Sequence, residues 1–576
     1  MKLKPTLDLL AGDMFNALQA GLLHGRISRR RFVQLALATG ASALAVQATA
    51  QTLGDAAITQ RYNAQALAPQ YDYIVIGSGS GGAVVAGRLA AETDASVLVL
   101  EAGDTDQIDA VLNPLLWPTN IRSERDWGYS ADPSDAVNGR SLILPMGKVV
   151  GGGSSINVMI WARGHKNDFD FWAAETGDDA WNYASVLEIY KRIEDWQGAP
   201  DPDRRGTGGR LYVDQVRNIN PSAQSFVEAC GTVGIPAFED MNGAMMEGDG
   251  GAALANVRIR DGQRLNLPAS YLWETLAQPN ITLLTGATVH ALTMDGTKVT
   301  GVTFEKDGQV QSITAGSQVI LSAGAINSPR ILMQSGIGRA QDLKPLGVEV
   351  KHDLQGVGQN FQDHILAAGC IWEYNTPLPP ANSAAEATFF WKSDASLDTP
   401  DLQPFHIEVP YASEVTGAQT EVPPGAWTIA PGLVRPQSRG SVRLTSADVT
   451  APLAIDGGFL REEVDLTALT TCIELCREIG NAAPLAEYAK REVMPGPLDK
   501  ASLKDFARNA AGTYFHQSCT CKMGRDEMSV VDGNLSVHGL EGLSIADASV
   551  MPRVSTGNTM APTVIIGERM ADILIG

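Results

Sequence analysis

The stretch 71–103 constrains the fold more than any other part of the chain. Residues 71–76 are β-branched and mostly apolar, which is typical of a strand buried on both faces. They lead into glycines with the spacing G-x-G-x-x-G, and the small residues at 83–92 then predict a helix that lies close to the sheet. A second apolar strand at 96–100 ends on Glu101. This order of strand, glycines, helix, strand and acid predicts a dinucleotide-binding βαβ unit.

Each part of this unit has a physical task. Gly77 permits the tight turn, Gly79 lets the backbone approach a pyrophosphate, and Gly82 lets helix and strand pack closely. The helix N-terminus presents free N–H groups and partial positive charge to the phosphates. Glu101, nineteen residues after Gly82, sits where a carboxylate accepts hydrogen bonds from ribose hydroxyls. The candidate cofactor-binding residues of this stretch are Gly77, Gly79, Ser80, Gly81, Gly82 and Glu101. The stretch alone leaves FAD and NAD both open.

Length and charge narrow the class of protein. With 576 residues the chain can bury a large core, and more than one domain is expected. Its 44% hydrophobic and 19% charged residues are typical of a soluble globular protein. A net charge of −21 argues against nucleic-acid binding, because phosphate contacts need clustered Lys and Arg.

Residues 1–50 have the features of an export signal. Arg29 and Arg30 precede Phe32 and a mildly apolar run at 33–46, which ends in an A-x-A cleavage site at 48–50. The alternative is a membrane anchor, but polar residues interrupt the run and a spanning helix needs about 20 apolar residues. We therefore predict twin-arginine (Tat) export to the periplasm with no stable membrane span. Residues 51–70 are expected to be an unstructured lead-in linker.

Two further segments are rich in glycine and serine. The run GKVVGGGSSIN at 147–157 bares backbone N–H groups and short hydroxyls that can line a flat polar ligand. At 318–338 a buried strand leads into Gly324, and Ser328 and Pro329 are expected to open a helix with proline in its first turn. The run at 147–157 alone would more often be a flexible loop.

Together these segments resemble the glucose–methanol–choline (GMC) oxidoreductase family, flavoenzymes that mostly oxidise alcohols. The resemblance runs from residue 71 to the C-terminus and includes VDGNLSVHGLEGLSIADASVMP and GNTMAPTVIIGERMADIL near the end. It implies an α/β fold (α+β overall), in which an FAD-binding Rossmann-like domain carries a substrate domain built on an antiparallel sheet. We assign 71–339 to the FAD-binding domain with part of the substrate domain inserted, and 340–510 to the substrate-binding domain. Residues 511–576 then complete the FAD domain and the active site.

By this resemblance the cofactor is FAD rather than NAD. The family holds adenine with backbone at the position of Val289, and places an acid like Asp547 beside the ribitol and pyrophosphate. The further cofactor-binding residues that the resemblance implies are Gly152, Ser154, Asn157, Val289, Asp547, Ala548, Asn558 and Thr559. Some members attach flavin to a histidine in the first glycine-serine loop. This chain has Ile156 and Asn157 there, so non-covalent FAD is expected.

The predicted chemistry lies at 511–524, AGTYFHQSCTCKMG. Oxidising an alcohol removes the hydroxyl proton, which a neutral imidazole can accept, and a hydride, which flavin accepts. His516 matches the family's catalytic histidine. Asn558 matches a position where the family has His or Asn, and its amide can hydrogen-bond the substrate oxygen. His364 lies in a segment that the family places near the flavin, so it is expected behind the site.

The cysteines suggest no disulfide framework. Cys472 and Cys476 share one face of a predicted helix at 463–482 and are expected to pack in the core. Cys519 and Cys521 follow His516 within the same motif, and the family usually has glycine at position 519. Two thiols without further ligands nearby make a poor zinc site, so no metal is predicted.

Three functions remain open. The first is an exported FAD alcohol dehydrogenase or oxidase, whose small-molecule substrate is an alcohol and whose electron acceptor is a quinone, a cytochrome or oxygen. The second is a lyase that cleaves cyanohydrins (a hydroxynitrile lyase), since a few family members keep the fold and the histidine without redox turnover. The third is a non-enzymatic flavin-binding protein, which the presence of His516 and Asn558 disfavours.

Overall fold

The computed structural model describes residues 29–38, 60, 63–64 and 66–576. Of the predicted export signal it describes only the helix Arg29–Ala38, and the cleavage site at 48–50 lies outside the described residues. In the lead-in, residues 60, 63 and 64 are helical. Gln60 Nε2 donates to the carbonyls of Leu276 at 3.0 Å and Ile281 at 2.8 Å. The expectation of an unstructured lead-in is therefore wrong at these residues.

The dinucleotide-binding unit is built on a seven-stranded sheet. Its first two strands, Gln70–Ile76 and Val97–Leu100, pair in parallel, and the helix Gly82–Glu92 connects them as predicted. Gln70, the last residue of the predicted lead-in, already belongs to the first strand. The seven strands are, across the sheet, Ile281–Leu284, Val97–Leu100, Gln70–Ile76, Gln309–Leu321, Lys298–Lys306 and Thr288–Asp295, with Leu543–Ile545 also beside Gln309–Leu321.

The long strand Gln309–Leu321 changes partners along its length. Its first half pairs antiparallel with Lys298–Lys306, and its last three residues pair parallel with Leu543–Ile545. Leu321 is also in register with Ile76 on its other side. The carboxyl ends of three strands therefore meet at one edge, where ligands of open α/β sheets bind.

A six-stranded sheet forms the substrate domain, and every pairing in it is antiparallel. This confirms the predicted fold class. Its strands are, in order, Ala489–Met494, Cys370–Tyr374, Ala426–Ala430, Phe405–Ile407, Ala385–Phe390 and Gly251–Leu254. The last of these comes from the chain before residue 340. The helix Glu463–Gly480 packs on this sheet and ends two residues before the predicted end.

A small sheet joins two distant parts of the chain near the predicted active site. Ile365–Ala367 lies between Gly432–Leu433 and Ala511–Thr513, and Ile365 is opposite Thr513. Beyond this pair, Tyr514 N donates to the His364 carbonyl at 3.0 Å. The pairing therefore brings the segment with His364 against the segment with His516.

Shorter elements complete the fold. The remaining strands are Tyr129–Ser130, Ile143–Leu144, Glu194–Trp196, Leu211–Gln215, Asn256–Val257, Ile259–Arg260, Gln263–Arg264, Ile337–Gly338, His352–Asp353, Gln359–Phe361, Gly440–Leu444 and Leu453–Asp456. The remaining α-helices are Asp109–Leu112, Gly153–Ile156, Lys166–Thr176, Tyr183–Ile193, Pro221–Thr232, Leu267–Tyr271, Gly324–Gln334, Ala340–Leu343, Glu414–Gln419, Lys500–Ala510 and Met560–Ile575.

The helix Gly324–Gln334 begins before the predicted Ser328, so the prediction that Ser328 and Pro329 open it is wrong. Pro329 has no N–H and cannot bond to the carbonyl of Ala325 one turn earlier. The Thr520 hydroxyl donates to that carbonyl instead, at 2.6 Å. A side chain far away in sequence thus makes an interior proline tolerable.

Cys472 and Cys476 are buried on the helix Glu463–Gly480 and belong to the main hydrophobic core, as predicted. All six cysteines are buried free thiols. Within the part of the chain that the structure describes, we find no helix long and apolar enough to cross a membrane.

Candidate active site

A cavity of about 800 Å³ is lined by residues from both domains. Most residues predicted from the sequence contribute to its wall. They are Gly77, Gly79, Ser80, Gly81, Glu101, Gly152, Asn157, Val289, His516, Asp547, Ala548, Asn558 and Thr559. We call the part around Gly77, Gly79 and Glu101 the dinucleotide end, and the part around His516 and Asn558 the reacting end.

Two predicted residues, Gly82 and Ser154, are not brought into the cavity wall as the structure describes it. A Cβ on Gly82 would lie 2.0 Å from the Gly77 carbonyl oxygen, so this glycine permits helix–strand packing. The Ser154 hydroxyl donates to the Gly151 carbonyl at 2.7 Å and accepts from the Leu267 N–H at 3.1 Å. The Ser154 hydroxyl is thus used in holding the loop.

The dinucleotide end fits an FAD pyrophosphate. A Cβ on Gly81 would lie 1.9 Å from the Ala546 carbonyl oxygen, so helix and strand ends approach here as only glycine allows. A Cβ on Gly79 would meet no described protein atom within 4 Å, and this residue faces the cavity. In the described chain no side chain caps the helix Gly82–Glu92 at its N-terminus. Its free N–H groups are therefore available to an anion.

Two carboxylates stand at the strand ends. Glu101 accepts from the Ser78 hydroxyl at 2.6 Å, and Asp547 accepts from the Ser328 hydroxyl at 2.5 Å and from the Gly324 N–H at 2.8 Å. Burial raises the pKa of both groups, and these donors oppose the shift. Both side chains are thus held in place facing the cavity, as binding to ribose or ribitol hydroxyls requires.

Arg264 lies beneath the glycine-serine loop, and sequence reasoning missed it. It is fully buried, donating to the Asn157 side-chain oxygen at 2.7 Å and to the Ser154 carbonyl at 3.1 Å. Burial lowers the pKa of this guanidinium to about 9. Arg264 thereby orients Asn157, although nothing in its own sequence neighbourhood marks it.

The reacting end pairs the two residues predicted to be catalytic. Asn558 Nδ2 lies 3.2 Å from His516 Nε2, and Asn558 Oδ1 accepts from Gln403 Nε2 at 3.1 Å. Because the Asn558 oxygen faces Gln403, its NH₂ group faces the imidazole. In this arrangement His516 Nε2 is an acceptor without a proton, as a general base must be.

His364 fixes the other ring nitrogen of His516. The two Nδ1 atoms are 2.9 Å apart, so His516, with Nε2 free, donates its Nδ1 proton to His364. Burial lowers the pKa of His516 to about 3, and burial followed by the charge of His516 lowers that of His364. Both rings are therefore neutral near pH 7. His364 lies behind the site, as expected.

Asp363 holds the backbone of His516 and was not anticipated. Its carboxylate accepts from the His516 N–H at 2.9 Å, the Gln517 amide at 2.9 Å and the Thr513 hydroxyl at 2.5 Å. Burial raises the pKa of Asp363 to about 7, and these donors oppose the shift. The turn that it secures includes Phe515 at a left-handed φ of 67°. Its position next to His364 in the sequence was the one available signal.

Cys519 also adopts a left-handed backbone, with φ of 73°. Glycine takes this conformation most readily, which gives a physical reason for the glycine usual in the family at this position. The Cys519 thiol lies 3.3 Å from the Ser518 hydroxyl. A search of the described residues for clusters of three or more His, Cys, Asp or Glu that could hold a metal ion finds none.

Comparison with known proteins identifies the family. A family described as GMC oxidoreductase matches residues 71–366, and its C-terminal part matches residues 436–567. The chain belongs to the GMC oxidoreductase family. It is an FAD-dependent oxidoreductase that acts on CH–OH donors.

Several relatives match nearly full length. The chain is 35% identical over 534 residues to an "Oxygen-dependent choline dehydrogenase" of Brucella anthropi, with 88% of this chain and 95% of the relative covered. It is 34% identical over 535 residues to an "Alcohol dehydrogenase [acceptor]" of Pseudomonas putida, covering 88% and 96%. Among solved structures, pyridoxine 4-oxidase from Mesorbium loti superposes with a TM-score of 0.83 at 31% identity, covering 87% of this chain and 98% of that one.

Proposed function

We propose that this GMC oxidoreductase oxidises an alcohol to the aldehyde or ketone, with His516 as the base, and passes the electrons to a quinone or another carrier. The observation that carries the proposal is the pair His516 Nε2 and Asn558 Nδ2, 3.2 Å apart on the cavity wall. FAD, when bound, supplies the acceptor for the hydride that leaves the carbinol carbon.

The pair suits a hydroxyl group. A substrate oxygen against both atoms donates its proton to His516 Nε2 and accepts from the Asn558 amide. As the proton moves to Nε2, the Nδ1–H bond to His364 keeps the ring oriented, and the Asn558 N–H stabilises the negative charge that builds on oxygen. Asp363 holds the backbone of the base throughout.

An anaerobic screen of primary alcohols with the purified FAD-loaded protein tests this proposal. Bleaching of the flavin band, with one aldehyde formed per flavin, is the expected result. Cleavage of a cyanohydrin without bleaching would instead establish the lyase. The absence of both reactions would leave a flavin-binding protein and refute the proposal.

The alternative acceptor is oxygen, with hydrogen peroxide as product. The names of the Brucella relative and of pyridoxine 4-oxidase support oxygen, whereas that of the Pseudomonas relative supports another acceptor. We favour the carrier because an exported enzyme works beside the respiratory chain. Enzyme reduced anaerobically with alcohol is mixed separately with air-saturated buffer and a quinone analogue. Rapid reoxidation by oxygen, at the turnover rate and with stoichiometric peroxide, would contradict this choice.

We also propose that FAD is held without a covalent bond, because Ile156 and Asn157 stand where attachment would need a histidine. Acid precipitation should then release all of the flavin into the supernatant. Flavin that stays with the protein pellet would refute non-covalent binding.

The proposed Tat export to the periplasm rests on the arginine pair, whose planar guanidinium groups lysine does not reproduce. Changing Arg29 and Arg30 together to Lys should leave folded, flavin-loaded protein in the cytoplasm. Mature protein in the periplasm at the unchanged level would contradict the proposal.

A further inference from the structure

The reacting end of the cavity opens onto an apolar surface. The Tyr514 ring stacks on His516 with centroids 4.9 Å apart, and Phe405 lies 6.4 Å from Tyr514. Further side chains that line the cavity belong to the same hydrophobic cluster as these two rings. We call five members of this set the apolar wall, and they are Trp117, Leu366, Phe405, Ile407 and Tyr514. Leu115 and Val409 also line the cavity, with 42% and 37% of their surface exposed, and so mark its mouth.

The polar atoms of the apolar wall are already bonded within the protein. The Tyr514 hydroxyl donates to the Gln403 carbonyl at 2.8 Å, and Trp117 Nε1 donates to the Ser383 carbonyl at 3.1 Å. Ser383 itself lines the cavity, and its hydroxyl oxygen is buried without a hydrogen-bond partner in the described chain. Where it lies along the apolar wall, a substrate therefore meets hydrocarbon and aromatic surface.

No carboxylate stands on the apolar wall in the described chain. The acids that line the cavity belong to the seven-stranded sheet and its ends, and they are Glu101, Glu305, Asp307 and Asp547. Glu101 and Asp547 are engaged at the dinucleotide end, and Glu305 lies 3.4 Å from His290. None of them faces the reacting end as a counter-charge.

Two other acids occur near the apolar wall in the sequence, but neither is available. Glu386 and Glu408 are buried and do not line the described cavity. Glu386 accepts from the Asn220 N–H at 2.7 Å, and Glu408 accepts from the Ala381 N–H at 2.7 Å. Each carboxyl thus has one oxygen bonded to loop backbone, and neither lies on the described cavity surface.

We propose that the substrate is an uncharged alcohol with an apolar chain, which lies along the apolar wall and ends between Leu115 and Val409. This inference rests on the proposed alcohol oxidation and concerns the same site. A quaternary ammonium alcohol such as choline would bury its charge there without a counter-charge, which is costly. Cation–π contacts with the aromatic rings of the apolar wall offset only part of that cost. The chain therefore differs in substrate from relatives named for choline.

The decisive comparison uses two alcohols of the same shape. In 3,3-dimethyl-1-butanol a carbon replaces the nitrogen of choline, so the pair differs in charge alone. With the FAD-loaded enzyme at about 0.15 M salt, which screens the net charge of −21, kcat/KM should be at least about tenfold higher for the uncharged alcohol. Along a series of unbranched primary alcohols kcat/KM should rise about fourfold per methylene until the chain reaches the mouth. Equal or better use of choline would overturn the inference while leaving alcohol oxidation intact. Failure of every alcohol to bleach the flavin would overturn both.

A matched pair of variants tests the same wall. Ile407 lines the cavity and is half-buried, so a longer polar side chain is tolerated there better than at a buried position. Ile407→Glu should raise the ratio of choline to 3,3-dimethyl-1-butanol at least about tenfold over Ile407→Gln, which has the same length without the charge. An equal ratio in the two variants would contradict the assigned position of the substrate tail. If Ile407→Glu loses its fold or its FAD, the comparison of the two alcohols with wild-type enzyme still decides.

Discussion

Replacing Asn558 by Asp should move the acid limit of the base up to near-neutral pH, and the size of the effect follows from the geometry. Oδ1 can still accept from Gln403, so the new carboxylate oxygen occupies the position of Nδ2, 3.2 Å from His516 Nε2. At that distance a carboxylate attracts an imidazolium by about 5 kcal/mol with an effective dielectric constant of about 20. This corresponds to nearly 4 pH units.

The pKa of His516 should therefore rise from about 3 in the wild type to roughly 7 in Asn558→Asp. The base works only when neutral, so its activity is lost as pH falls through its pKa. As far as this histidine is concerned, wild-type kcat/KM should stay constant as pH falls from neutral to well below 6.5. The variant should lose about tenfold per pH unit below roughly pH 7 and recover above it.

The assay is anaerobic flavin reduction by alcohol, measured by stopped flow between pH 5 and 9 on protein whose flavin content has been matched. Asn558→Leu is the control, because it removes the amide donor without adding charge. It should slow reduction about 10²- to 10³-fold and leave the acid limb where it is in the wild type. An acid limb at the same pH in Asn558→Asp and Asn558→Leu would refute the assignment of His516 as the base.

Two further perturbations address cofactor binding and stability. Gly79→Ala should fold as apoprotein with an unchanged melting temperature yet bind FAD more weakly, whereas Gly81→Ala should fail to give folded holoprotein because its Cβ would lie 1.9 Å from the Ala546 carbonyl oxygen. Thermal unfolding and flavin absorbance separate these outcomes. Equal FAD affinity in Gly79→Ala and wild type would contradict the close approach of FAD to Gly79 at the dinucleotide end. Burial, and then the Glu386 carboxyl, raises the pKa of Glu408, so wild-type unfolding free energy should fall as pH rises from the ordinary 4.5 towards the raised value. Urea unfolding between pH 5 and 9 should show a smaller fall in unfolding free energy for Glu408→Gln than for the wild type. If the two curves of unfolding free energy against pH are parallel, Glu408 is not the cause of the fall.

The parts predicted correctly from sequence are those specified by local pattern. The βαβ unit follows from one apolar strand, three spaced glycines and a small-residue helix, all within the stretch 71–103. The helix Glu463–Gly480 was predicted from the local sequence pattern. The antiparallel substrate sheet came from the family resemblance, because its strands are short and brought together from positions far apart along the chain.

The parts that were missed depend on hydrogen bonds across long separations in sequence. Asp363 is 153 residues from His516, Gln403 is 155 from Asn558, and Arg264 is 107 from Asn157. No local periodicity encodes such contacts, since each depends on how segments far apart in the sequence come together. The wrong start of the helix Gly324–Gln334 has the same origin, because the donor that compensates for its interior proline comes from a distant segment.

The most direct test of the account is the rate of flavin reduction in His516→Ala. FAD should remain bound at the wild-type level, because the dinucleotide end of the cavity is formed by other residues, among them Glu101 and Asp547. Mixed anaerobically with the best alcohol of the series, the variant should reduce its flavin at least about 10²-fold more slowly than wild type. Near-normal reduction with an unchanged pH dependence would show that another group takes the proton, and would contradict the central claim.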